Sequence, residues 1–145
     1  MLTTGRLEAA PPLEHIRVSA EARERLIQLK RRTGIQRWNT LCRWAFCRSL
    51  AEPTAPPVHH VPSDSNVEMD WKTFAGPYSD LIVALLRFRC QRDGLPSDSA
   101  TLATQFKLHL HRGLAYLAAD RRIADISDLM TLALSVPRKG TSAEA

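Results

Sequence analysis

"LKRRTGIQRWNTLCRWAFCR", residues 29–48, decides the fold. Its five arginines and one lysine are threaded with tryptophan, leucine and cysteine. A solvated helix has no need of the apolar residues, and a buried one cannot hold the guanidiniums. Two amphipathic helices hinged at "TG", each packing one side and presenting cations on the other, satisfy both demands. Ser19 is a good N-cap for the first helix, with Glu21 in the turn where the helix dipole favours negative charge. Ala22, Leu26 and Leu29 follow at helical spacing, and Lys30, Arg31 and Arg32 before Gly34 form a C-terminal signature. The second helix covers about residues 36–50, with Trp38, Leu41, Cys42, Ala45, Ser49 and Leu50 inward.

Before the first helix, "HIRVS" at residues 15–19 alternates Ile16 and Val18 with Arg17, as a short strand does. Strand, helix, turn, helix is the plan of a ribbon-helix-helix unit. There two chains pair their strands and the outward residue, here Arg17, faces DNA. That pairing needs a second chain, so it predicts a self-associating protein. A plain helical hairpin fits the same residues.

After the hairpin, residues 52–77 form a proline-rich connection, a linker between two subdomains, in which Asp70, Trp71 and Phe74 anchor a turn at Gly76 and Pro77. A helix over Ser79 to Arg92 is expected to bury Leu81, Ile82, Leu85 and Leu86. Ser97 or Asp98 caps a longer one to Ala119, with Leu102, Phe106, Leu110, Leu114 and Leu117 inward. Asp125 or Ser127 opens a last helix through "LMTLALSV". The chain thus reads as mainly α, with five helices and at most one short strand. Residues 1–14 are a flexible leader, 15–136 a single helical domain and 137–145 a disordered tail. Within the domain, 15–51 is the basic hairpin and 78–136 a bundle part.

Charge is distributed unevenly along these pieces. Residues 15–51 hold nine basic and two acidic side chains, a local net of +7 in a chain whose net is +5. Clustering of this kind is the footprint of a polyanion, nucleic acid above all, though a merely solvated basic face has the same composition. Arg17, Arg23, Lys30, Arg31, Arg32 and Arg37 are the candidates for phosphate contact. Gln36 or Asn39 could read adenine, but their positions suit helix capping better. No apolar run approaches the roughly 20 residues that span a bilayer, and the N-terminus lacks a secretory core. The expected location is the cytoplasm, with no membrane partner.

Signals for chemistry are weak. Cys42, Cys47 and Cys90 form no CxxC pair and read as packed, reduced thiols. In "HLHRG", residues 109–113, the two histidines point about 200° apart on a helix and cannot easily share one ion. His109 is expected within the packing and His111 near the surface, while Gly113 marks a close approach of helices. His59 and His60 lie in the connection with nothing to organise them. Asp64, Glu68 and Asp70 could hold magnesium, with His111 beside them, for a nuclease that nicks DNA. No second cluster completes such a site, and no phosphate-cradling glycine loop is present. No catalytic residue, metal or cofactor is therefore assigned; the nicking enzyme and a ribbon-helix-helix transcriptional regulator stand as alternatives.

Four stretches carry a resemblance: "IRVSAEARERLIQLKRRTGIQRWNTLCRWAFCRSL", "DWKTFAGPYSDLIVALL", "HLHRGLAYL" and "ISDLM", which together span most of residues 16–130. The chain resembles the DNA sulphur modification protein DndE family. That resemblance implies a small accessory subunit of the bacterial DNA phosphorothioation system, in which sulphur replaces a non-bridging phosphate oxygen. It implies a mainly helical homotetramer that binds DNA, nicked duplex by preference, through surface lysines. The implied companions are a cysteine desulfurase, an adenylating enzyme and an ATPase. In the basic segment arginines largely stand where the family uses lysines, and no catalytic residue is carried over.

Overall fold

The structure, a computed structural model, describes residues 10–135. Within them the chain runs β1 (His15–Arg17), α1 (Ala20–Thr33), α2 (Trp38–Ala51), β2 (Glu68–Asp70), α3 (Trp71–Ala75), α4 (Ser79–Arg92), α5 (Ser99–Ala119) and α6 (Ile126–Leu134). It is mainly helical, as expected. The five long helices are those read from the sequence; α3 is an additional short one where a turn was expected. The leader expected over 1–14 is described only from residue 10 on. There Pro12 is buried and Leu13 packs against the core, so this part lies on the body. The tail expected at 137–145 falls outside the described residues.

Local signals placed the hairpin well. Ser19 Oγ accepts from the Ala22 N–H at 3.0 Å and starts α1. Gly34, at φ 76°, ends it in a conformation that side chains resist, and its N–H donates to Lys30 O. Ala22, Leu26 and Leu29 are buried as expected. In α2 the inward set is Leu41, Cys42, Ala45, Phe46 and Ser49; Trp38 and Leu50 are only partly covered.

Helix α5 is the axis of the core. Its Leu102, Phe106, Leu110, Leu114 and Leu117 are buried, and α2 lies directly across it. Gly113 makes that crossing possible. A Cβ at this position would stand 1.7 Å from the carbonyl oxygen of Ala45, so the two backbones touch. Beside the crossing, Phe106 gathers Phe46, Phe74 and Trp71 at ring-centroid distances of 5.3, 5.0 and 5.2 Å. These rings tie α2, α3 and α5 together, which is why Trp71 and Phe74 form a helix rather than a bare turn. Asp70 caps it, its carboxylate accepting from the Thr73 N–H at 2.7 Å.

The strand pairing differs from the ribbon-helix-helix expectation. β1 pairs antiparallel with β2 of the same chain, in the register His15 to Asp70, Ile16 to Met69 and Arg17 to Glu68. The cause is a period-2 run overlooked in "VEMDW". Val67, Met69 and Trp71 point into the core beside Ile16 and Val18, while Glu68 and Asp70 point out. β1 thus finds its partner strand within its own chain, and the pairing itself gives no ground for a second chain.

The connection after α2 is strapped down rather than free. Arg89 is 3% exposed and pairs with Asp93 at 3.0 Å. Its guanidinium also donates to the carbonyls of Leu50, Pro53 and Thr54. Arg112 donates to Ser49 O and Thr54 O. Elements before and after the connection share one hydrophobic cluster. In α4 the buried side chains are Ile82, Val83, Leu86, Arg89 and Cys90; Leu81 and Leu85, expected inside, face out.

Gly113→Ala should cost at least about 3 kcal/mol, because the clash is with backbone and neither helix can step aside alone. Thermal unfolding of the two proteins measures it; an unchanged midpoint would show that the helices do not touch here.

Candidate nucleic-acid interface

The hairpin's cations do not form one uniform face. At the ribbon, Arg17 forms an ion pair with Glu68 and also donates to Ser65 O. His15 bonds the same carboxylate at 3.0 Å. These partners, the His15 hydrogen bond first, hold Glu68 below the usual carboxylate range. One helical turn into α1, Arg23 donates to Asn66 Oδ1 at 3.0 Å and reaches Glu24 at 3.3 Å. Arg25 pairs with Glu21 at 2.7 Å, one turn back. Three guanidiniums at the start of the hairpin are therefore partly offset by the chain's own carboxylates.

Toward the α1–α2 turn the picture changes. Lys30 lies 4.3 Å from the ring centroid of Trp38, a cation held on an aromatic face. Arg32 donates to the carbonyl of Ala118 at 2.7 Å, closing an open group in the last turn of α5. Arg31 and Arg37 are exposed and take no part in these ion pairs and hydrogen bonds. The described residues thus place Lys30, Arg31 and Arg37 around one turn, with Trp38 between the helices and Gln36 at the tip. Gln36 donates to Gly34 O and Asn39 to Thr73 O; neither caps α2 as their positions suggested, because the N-cap is Arg37 and makes no side-chain capping bond. Farther along α2, Arg43 donates to Phe74 O and Arg48 lies 5.0 Å from the Tyr116 ring centroid. Among the described residues no helix is long and apolar enough to cross a membrane.

The residues considered for chemistry are each tied to local structure. Asp64 accepts from the Ala20 N–H at the start of α1, Asp70 caps α3, and Glu68 is bound by His15 and Arg17. The capping bonds to Thr73 lower the Asp70 pKa. Among the described residues no three His, Cys, Asp or Glu side chains stand close enough to share a metal ion. Cys42 and Cys90 are buried thiols, and burial pushes Cys42 up to about 12. Cys47 is exposed, contrary to expectation.

Both histidines of "HLHRG" are inside. His111 was expected near the surface; instead its Nε2 accepts from the Ser19 N–H at 3.1 Å and its Nδ1 bonds Lys107 O. It thereby joins α5 to the start of α1. His109 is fully buried, with Nδ1 2.8 Å from Ser49 Oγ, which also accepts from Arg112 Nε. Its Nε2 has no partner. Burial, then Arg112 and Arg89, pull the His109 pKa from 6.5 to about 4. The buried Arg89 and the Phe46 aromatic contact also escaped the sequence reading. Asp93, one turn after Arg89, was the available signal for the ion pair.

A family model described as DNA sulphur modification protein DndE matches residues 15–125. The chain belongs to this family. No curated protein matches the chain. The match takes in the ribbon, the hairpin and all of α5, and ends at the Asp125 cap of α6. Thus "ISDLM", the last of the resembling stretches, lies beyond it. Membership implies involvement in DNA sulphur modification.

His109 binds protons more weakly folded than unfolded, so stability should be greatest above pH 6.5 and fall as the pH drops toward 4. The loss approaches about 3 kcal/mol over the full interval. Urea midpoints at pH 7 and pH 5 should differ more for the parent than for His109→Gln; equal differences would refute the assignment.

Proposed function

We propose that the chain is a non-catalytic, DNA-contacting accessory subunit of the phosphorothioation machinery. It works as a homo-oligomer, a tetramer by family resemblance, beside the other subunits of the system in the cytoplasm. It holds the sugar-phosphate backbone, intact or nicked, while other subunits perform the sulphur chemistry. The observation that carries this reading is the cationic turn of Lys30, Arg31 and Arg37 in a chain of the DndE family. Guanidinium and ammonium groups on phosphate release counterions and give affinity without base readout. An accessory subunit acting at many sites needs that kind of binding.

The availability of donors supports some of the candidate contacts over others. Among the described residues Arg31 and Arg37 have no hydrogen-bond or ion-pair partner. Lys30 rests on Trp38. Arg17 and Arg23 are shared with Glu68, Asn66 and Glu24, and Arg32 with Ala118 O. Arg17, Arg23 and Arg32 thus serve as flanking contacts whose removal costs stability as well as binding. The absence of a catalytic role is supported by the structural employment of Asp64, Glu68, Asp70 and His111 described above.

Arg31→Ala and Arg37→Ala should each reduce the slope of log affinity against log salt by about 1, with the melting temperature unchanged. Arg32→Ala should instead lower stability by about 1 kcal/mol. Titrations on intact and nicked duplexes at several salt concentrations test this. Slopes unaffected by either of the first two variants would remove the turn as the binding surface. Separately, the purified protein should leave supercoiled plasmid closed in the presence of magnesium. Nicking that disappears with chelator and with Asp70→Asn would establish the enzyme instead.

A further inference from the structure

Helix α4 carries two apolar stripes, and the fold uses one. Ile82, Val83, Leu86 and Cys90 are buried against the core. On the opposite side Tyr78, Leu81, Leu85 and Phe88 recur at helical spacing, with Leu81 57% and Phe88 65% exposed. A helix apolar all round belongs inside a larger assembly, and a contiguous exposed stripe of this kind marks a contact surface. Ala84, between Leu81 and Phe88, is small and also exposed, which lets another backbone approach.

The charges beside the stripe say what covers it. Asp80 stands at the N-terminal end, and Arg87 and Arg92 toward the C-terminal end; all three are exposed. A second copy of α4 laid parallel would set like charges against like. Laid antiparallel about a two-fold axis between Ala84 and Leu85, it places Leu81 against Phe88 of the partner subunit and Tyr78 against Gln91 of the partner subunit. Asp80 then comes within about one turn of Arg87 of the partner subunit. An isologous contact requires a surface complementary to itself, and this one is complementary in apolar pattern and in charge.

We infer that α4 is the site at which two copies of this chain join, antiparallel, through Tyr78, Leu81, Leu85 and Phe88. The inference rests on the self-association proposed above and names the surface that performs it. Helix α4 packs on α3 and α5, whereas the basic turn joins α1 and α2.

Light scattering on the full chain after size exclusion separates this inference from the broader reading. The parent should elute as an oligomer, and Leu81→Ser with Phe88→Ser should reduce its mass at least twofold. Both side chains are exposed in the single chain, so circular dichroism and the melting profile of the variant should remain those of a folded helical protein. Asp80→Arg should also weaken the assembly, and combining it with Arg87→Asp should restore it. An oligomeric parent with unchanged variants overturns the α4 contact and leaves self-association standing, with the exposed Ile126, Met130 and Leu134 of α6 as the next surface. A parent that stays a single chain at every concentration overturns both.

Discussion

The contact between Gly113 and Ala45 governs where the rest of the molecule can go. Two helices meet there without any side chain between them, so α2 is held against α5 at backbone distance. That fixes which side of α2 is inward. Within a turn of the same point, Ser49 meets His109 and Arg112. From there Arg112 and Arg89 reach the carbonyls that follow α2 and turn the proline-rich connection back along the core. The connection then delivers Val67 and Met69 to β1. A single missing Cβ thus conditions the polar network, the course of a long loop and the closure of the ribbon.

The distribution of guanidiniums follows from their chemistry. Arginine offers five donors in a rigid fork, and an ordered chain always has carbonyls in want of a partner. Arg32, Arg43, Arg89 and Arg112 answer helix ends and loop carbonyls, so their charge serves the fold first. Arg17, Arg23 and Arg25 lie within reach of Glu68, Glu24 and Glu21. Formal charge by segment counts all of these equally. The count that matters for a polyanion is of cations neither neutralised nor bonded away. Among the described residues of the hairpin that set is Arg31 and Arg37, with Lys30 and Arg48 each resting on an aromatic ring.

Helix positions were legible because caps and periodicity are local. Ser19 and Gly34 act at the helix ends where residue type placed them, and Asp98 and Asp125 are the caps out of the two candidates at each of the later starts. Gly113 was legible for the same reason, since a glycine inside a long helix demands a close neighbour. What escaped was non-local. β1 could be recognised as a strand, but its partner lies more than fifty residues away, and "VEMDW" is too short to announce itself beside the tryptophan. In α4 an apolar helix offers two equivalent faces to a reader of sequence, so Leu81 and Leu85 were assigned inward while Val83 took the place. The site was legible as a segment and not as a surface, because ion pairs such as Arg17 with Glu68 form only after the chain has closed on itself.

The same reasoning separates the two kinds of functional evidence. Phosphate is recognised by charge and reach, which many basic hairpins possess, so physical chemistry leads to a polyanion and stops there. Sulphur enters through membership of the family, whose match covers residues 15–125 and hence both the cationic turn and α4. These two surfaces are built from different elements. The turn closes α1 and α2, whereas the exposed stripe belongs to α4, which rests on α3 and α5. A chain that both grips DNA and joins its own copies needs such a separation, because a cation buried in a subunit contact is lost to phosphate. Copies joined through α4 would each keep a basic turn free, and several weak, salt-sensitive grips on one duplex would then add up to firm attachment without reading a single base.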